Sequence, residues 1–249
     1  MRHLVANWKM NVPKEGISLY IESLEARPDW QNVEVSLAVP SPLLVPLRDR
    51  LAGAARLGAQ NVSEHESGAF TGEVSIAMLS EAGAEFVLVG HSERRAIYGE
   101  TNEVIAKKAA AVLGSPLELL LCVGEDLATR EAGDTVELLE EQLTTVFSAI
   151  RSLPERMLIA YEPVWAIGTG KNATPQMAAD THRQIREIVA RLTSGKTTPV
   201  ILYGGSVKPS NAAELAAETE IEGFLVGGAS LQAKDFLAIG AALEAGARD

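Results

Sequence analysis

Short runs of Val, Ile and Leu recur along the chain, each followed by a stretch whose apolar residues return every three or four positions. The runs cover Leu4–Asn7, Val33–Val39, Arg56–Gln60, Phe86–Val89, Glu118–Val123, Met157–Tyr161, Val200–Tyr203 and Gly223–Val226. Several are apolar throughout instead of alternating, as parallel strands covered on both faces are. The helical stretches include Val104–Leu113, Thr135–Arg151 and a segment opening at Thr174. There Thr174 can cap, Pro175 suits the first turn and apolar residues recur through Ile188. Eight strands alternating with helices, with no linker or shift in composition, predict an α/β fold. The expected form is a single-domain (β/α)8 barrel over residues 1–249, eight parallel strands surrounded by helices. A doubly wound sheet of six strands competes with it, but no Gly-x-Gly-x-x-Gly follows the first strand, which weakens a dinucleotide-binding reading.

Composition narrows the function. The chain has 249 residues, 47% hydrophobic and 22% charged, enough apolar material for a closed core. The apolar run at the N-terminus is too short for a secretory signal, and no later stretch reaches about 18 apolar residues, so a cytoplasmic protein without membrane association is expected. The single cysteine, Cys122, fits a reducing compartment and reads as a buried core thiol. The histidines His3, His65, His91 and His182 form no close pair of ligand type, and no metal is expected. A net charge of −11 excludes nucleic acid as a partner, which would demand a basic patch. The same charge repels any phosphorylated substrate, but salt confines that field to roughly 8 Å, so local donors can prevail.

In such a barrel chemistry gathers just after the strands, at their C-terminal ends. Lys9, in Asn7-Trp8-Lys9, breaks an apolar run there and is a candidate cation for an anionic substrate, against the plainer reading of a solvated lysine. His91 follows the fourth strand, beside Ser92, Glu93, Arg94 and Arg95. At a helix N-terminus the dipole disfavours its cationic form and leaves a neutral hydrogen-bond donor. Glu162 closes the sixth strand, and Pro163 biases it toward an extended conformation. The residues after it, Pro-Val-Trp-Ala-Ile-Gly-Thr-Gly (163–170), read as a flap, because Trp165 and Ile167 would be poorly placed in an exposed loop that closed over nothing. Two glycine turns, Tyr-Gly-Gly-Ser-Val (203–207) and Leu-Val-Gly-Gly-Ala-Ser (225–230), follow the last two strands, and backbone N–H groups in such turns bind phosphate without a lysine.

Taken with Asn-Trp-Lys-Met-Asn (7–11), Gly-Ala-Phe-Thr-Gly-Glu (68–73), Gly-His-Ser-Glu-Arg-Arg (90–95), Cys-Val-Gly-Glu (122–125) and Ala-Tyr-Glu-Pro-Val-Trp-Ala-Ile-Gly-Thr-Gly (160–170), these motifs span all eight strand–helix units. The chain resembles the triosephosphate isomerase family, in which a glutamate base acts beside a neutral histidine. The resemblance implies a cofactor-free isomerase of glycolysis and gluconeogenesis, interconverting dihydroxyacetone phosphate and glyceraldehyde 3-phosphate through an enediol. It assigns proton transfer to Glu162, the substrate oxygens to His91, and charge stabilisation to Lys9 and Asn7. Trp8 joins Asn7 and Lys9 among the substrate-binding residues, and Gly168, Ser206, Gly227 and Gly228 hold the phosphate. Ser92 and Glu93 would support Lys9 and His91. It also implies a homodimer, with Phe70 and Thr71, on a segment (61–75) long for a strand–helix loop, entering a second subunit.

Two other readings are open from the residues: an aldolase in which Lys9 forms a Schiff base, and a non-catalytic binding relative. The first gives no reason for the Glu-Pro flap. The second gives none for an intact set of Asn7, Lys9, His91 and Glu162.

Overall fold

The computed structural model describes residues 1–51, 53–166 and 173–246. Its strands are β1 (Arg2–Asn7), β2 (Val33–Val39), β3 (Arg56–Ala59), β4 (Phe86–Val89), β5 (Glu118–Val123), β6 (Arg156–Tyr161), β7 (Thr198–Tyr203) and β8 (Gly223–Val226). They close into a barrel in chain order, every neighbouring pair parallel. Around it lie α1 (Ile17–Glu25), α2 (Leu44–Arg48), α3 (Ile76–Glu81), α4 (Ser92–Tyr98), α5 (Asn102–Leu113), α6 (Leu127–Ala132), α7 (Thr135–Ala149), α8 (Pro175–Thr193), α9 (Ala212–Ala216) and α10 (Ala233–Ala245). No helix among the described residues is long and apolar enough to cross a membrane.

Every strand expected from the apolar runs is present, and the differences lie at the ends. β1, β6 and β7 start earlier because Arg2 pairs in register with Val33 and Arg156 with Thr198, and an apolar run stops short of Arg2, Arg156 and Thr198. β3 ends at Ala59, so Gln60 stands outside the ladder. α8 begins as expected, with Thr174 Oγ1 accepting the Met177 N–H at 3.1 Å and Pro175 in the first turn, and runs to Thr193. α7 stops at Ala149, because Ile150 is extended.

Burial follows the two-residue period of a strand. Val5, Ala38, Leu88, Leu120, Cys122, Leu158, Ala160, Leu202 and Leu225 fill the barrel interior with Phe86. Alternate residues such as Leu4, Ala6, Leu119 and Leu121 face outward under the helices. Each large side chain removed from water contributes roughly 1.5–3 kcal/mol. Gly58 makes room inside the barrel, since a Cβ there would lie 2.3 Å from the Phe86 ring. At the N-terminal ends of the strands a polar network closes the floor, with Arg56 donating to Glu34, Glu85 and Glu118 at 3.0, 3.3 and 2.6 Å. The opposite end is left to the motifs.

Candidate active site

The carboxylate of Glu162 follows β6 and is buried, with 2% of the residue exposed. Its N–H donates to Val123 O at 2.8 Å, which ties it to the end of β5. The side chain runs past Gly204, where a Cβ would meet Glu162 Cγ at 3.0 Å. Its oxygens accept from the Ser92 N–H (2.9 Å), the Ser92 hydroxyl (3.3 Å) and His91 Nε2 (3.0 Å).

His91 precedes α4 and caps it in an unusual way. Its ring Nδ1 accepts the Glu93 N–H at 3.2 Å, so that nitrogen carries no proton and Nε2 is the one that donates to Glu162. A specific backbone hydrogen bond at the helix start thus favours the neutral ring, a more local influence than the dipole. Burial acts most strongly on His91 and lowers its pKa, yet the adjacent Glu162 and Glu93 leave it raised. The Glu93 N–H on Nδ1 works against that upward shift, because protonating Nδ1 would break the helix cap.

For Glu162, burial again acts most strongly and raises the pKa. His91, the Ser92 amide and Lys9 together outweigh it, holding the carboxyl below its ordinary value. The group is thus ionised while it sits against Ser92.

Lys9 lies beyond the end of β1 with φ +51°, a left-handed backbone that costs a side-chain-bearing residue about 1–3 kcal/mol. Its neighbours hold it there. Its N–H donates to Asn7 Oδ1 at 3.0 Å, and Gln60 Nε2 donates to its carbonyl and to Ala38 O, each at 3.0 Å. The ammonium donates to Glu93 Oε1 at 2.7 Å, and the stem passes the last glycine turn, where a Cβ on Gly227 would meet Lys9 Cε at 3.3 Å.

A cavity of about 650 Å³ collects Asn7, Lys9, His91, Glu162, Ser206, Gly227 and Gly228 along its wall. Trp8 is not brought to it: the indole is fully buried and packs edge-on against Tyr20 at 5.3 Å. Glu93 accepts from the Lys9 ammonium, and Ser92 donates to Glu162. Gly168 and Ile167 of the expected flap lie outside the described residues.

Two residues at the site went unassigned from sequence. Gln60, a polar residue ending an apolar run, clamps Lys9. Glu125 is fully buried after β5 and accepts from Tyr161 Oη (3.0 Å) and Trp165 Nε1 (2.9 Å), so the indole is anchored. Burial raises the Glu125 carboxyl above its ordinary value despite those donors.

Gly124 controls how these pieces fit. A Cβ on it would lie 1.8 Å from the Glu162 carbonyl oxygen, and Gln142 grips both its N–H and its carbonyl at 3.0 Å, so it cannot retreat. Gly124→Ala is expected to lower stability by about 1–3 kcal/mol and to reduce turnover by displacing Glu162. Denaturant midpoints and kcat measured together check this. A variant matching the wild type in both would show that the strand end tolerates the methyl.

A closed barrel with a buried carboxylate and two glycine turns around one cavity at its mouth defines the class of barrel enzymes that work at the C-terminal ends of the strands. Comparison with known proteins narrows the class. The family model described as triosephosphate isomerase matches residues 2–243. A triosephosphate isomerase of Delftia acidovorans is 46% identical over 243 residues, 97% of this chain and 98% of its own. Those of Herminiimonas arsenicoxydans and Thiobacillus denitrificans are each 48% identical, over 96% of this chain and 98% and 97% of theirs. The chain belongs to the triosephosphate isomerase family, a family of TIM barrels.

Proposed function

We propose that this chain interconverts dihydroxyacetone phosphate and D-glyceraldehyde 3-phosphate, with Glu162 as the base that carries the proton between the two carbons. The observation that carries the residue assignment is the contact of a buried carboxylate with a histidine whose Nδ1 is occupied by its own helix cap, leaving Nε2 to donate. Glu162 takes the proton from the carbon beside the carbonyl, leaving an enediolate. His91 Nε2–H and the Lys9 ammonium stabilise the oxygen that gains charge, with Asn7 orienting Lys9. Glu162 then returns the proton to the neighbouring carbon while His91 moves the hydroxyl proton from one oxygen to the other, so the carbonyl and hydroxyl exchange places and no cofactor is consumed. Ser206, Gly227 and Gly228 take the phosphate, and Gly168 joins them.

To reach substrate, Glu162 must leave Ser92 and His91. Those partners lower its pKa while burial raises it, so leaving them inside a dry site makes the carboxylate a stronger base at the moment it is used. An assay coupled to removal of either triose phosphate tests the reading. Turnover in both directions is expected, and none from the purified protein would end it. Borohydride trapping with substrate separates it from a Schiff-base aldolase.

The chain acts as one catalytic domain, a cytoplasmic enzyme, and as a homodimer through Phe70 and Thr71. Met10 and Tyr98, 93% and 68% exposed, line a hollow of about 310 Å³ beside Lys9, and Phe70 is 42% exposed with its ring stacked on His65. Apolar side chains so exposed around a hollow suit a surface that a second copy covers. Sedimentation at micromolar concentration should give the dimer mass for the wild type and the monomer mass for Phe70→Asp. Monomer alone in the wild type would refute the assembly.

A further inference from the structure

The cavity wall carries one charged pair that the reaction does not use. Lys208 and Asp235 both line it, Lys208 on the turn after β7 and Asp235 in the first turn of α10. No ion pair joins them or engages Lys208 among the described residues. The other lysine of the wall, Lys9, has its ammonium on Glu93. The Lys208 turn is braced: Asn211 Oδ1 accepts the Lys208 N–H at 2.8 Å, and Asn211 Nδ2 donates to Ser206 O at 2.9 Å. Pro209 restricts Lys208 further toward extended backbone. One small frame therefore presents Ser206 and Lys208 to the same cavity. The start of α10 offers an anion little, because Glu15 Oε1 already accepts the Ala233 N–H at 2.6 Å.

We propose that Lys208 is the capture cation for the substrate's phosphate, held at the cavity mouth by Asn211, with Asp235 the opposing charge that limits its pull. A dianion approaching a chain of net charge −11 needs a local positive field within a Debye length. Lys208 supplies it, with no carboxylate among the described residues within ion-pairing distance. This rests on the isomerase reading for the identity of the substrate, and its test is built to separate the two.

The experiment compares the wild type with Lys208→Met, Lys208→Arg and Asp235→Asn in kcat/KM for triose phosphate across ionic strength, and in binding of inorganic phosphate by titration calorimetry. Lys208→Met should lose about threefold to tenfold in kcat/KM and in phosphate affinity at low salt, with a smaller fall in kcat. Lys208→Arg should stay near the wild type, Asp235→Asn should move the opposite way, and the differences should shrink as salt rises. Equal values for Lys208→Met and the wild type, a loss independent of salt, or Asp235→Asn falling alongside Lys208→Met would overturn the proposal. Phosphate binding needs no turnover, so an inactive wild type would sink the isomerase reading and still leave Lys208 decided.

Discussion

Glu162→Gln should turn over triose phosphate about 10²–10⁴-fold more slowly than the wild type, the range over which a positioned general base contributes. The amide keeps the size of the side chain, and its oxygen can still accept from the Ser92 N–H while its NH2 donates to the Ser92 hydroxyl, so the fold around β6 should change little. What it cannot do is take a proton from carbon. Glu162→Asp keeps the charge but withdraws it by about one methylene, and a misplacement of about 1 Å is expected to cost roughly 10²-fold. The two variants separate chemistry from placement: Gln removes basicity in place, and Asp removes reach. Stopped assays of kcat with thermal unfolding on the same samples check both. Near-normal turnover with Gln would move the base to another group.

How much of this was legible in the sequence depends on where each signal lies. The strands could be read because parallel strands inside a barrel are apolar on both faces, and runs such as Leu119–Val123 stand out against amphipathic helices. Their polar first residues, Arg156 and Thr198, could not, since the ladder holds them by backbone pairing. Glu162, His91 and Lys9 were visible as polar residues breaking apolar patterns at strand ends. Glu125 has the same signature, yet its role is set by Tyr161 and Trp165, 36 and 40 residues away, which no local pattern connects. Trp8 shows the reverse case. Its neighbours in the motif face the cavity, but its own indole turns into the core. The dependence of Glu162 on Gly124 is likewise a contact between two backbones that only closure of the barrel creates.

Lys9→Met should lower kcat/KM by about 10²–10³-fold, the loss found when one preorganised donor to a developing oxyanion is removed. The stem survives in methionine, so packing past Gly227 is kept and only the charge goes. Glu93 loses its partner, but its side chain is 43% exposed and water can solvate it, so unfolding should shift little. The left-handed backbone at residue 9 is held by Asn7 and Gln60 through main-chain atoms that the substitution leaves alone. The loss should therefore fall on both KM and kcat, because the ammonium attracts the anionic substrate and is needed more strongly once charge moves onto the oxygen. Lys9→Arg should recover only part of it, since a planar fork cannot take the position of a compact ammonium. Loss confined to KM would mean that Lys9 binds the ground state alone and that His91 bears the developing charge unaided. Equal activity in Lys9→Met would place the electrostatic stabilisation outside this lysine altogether.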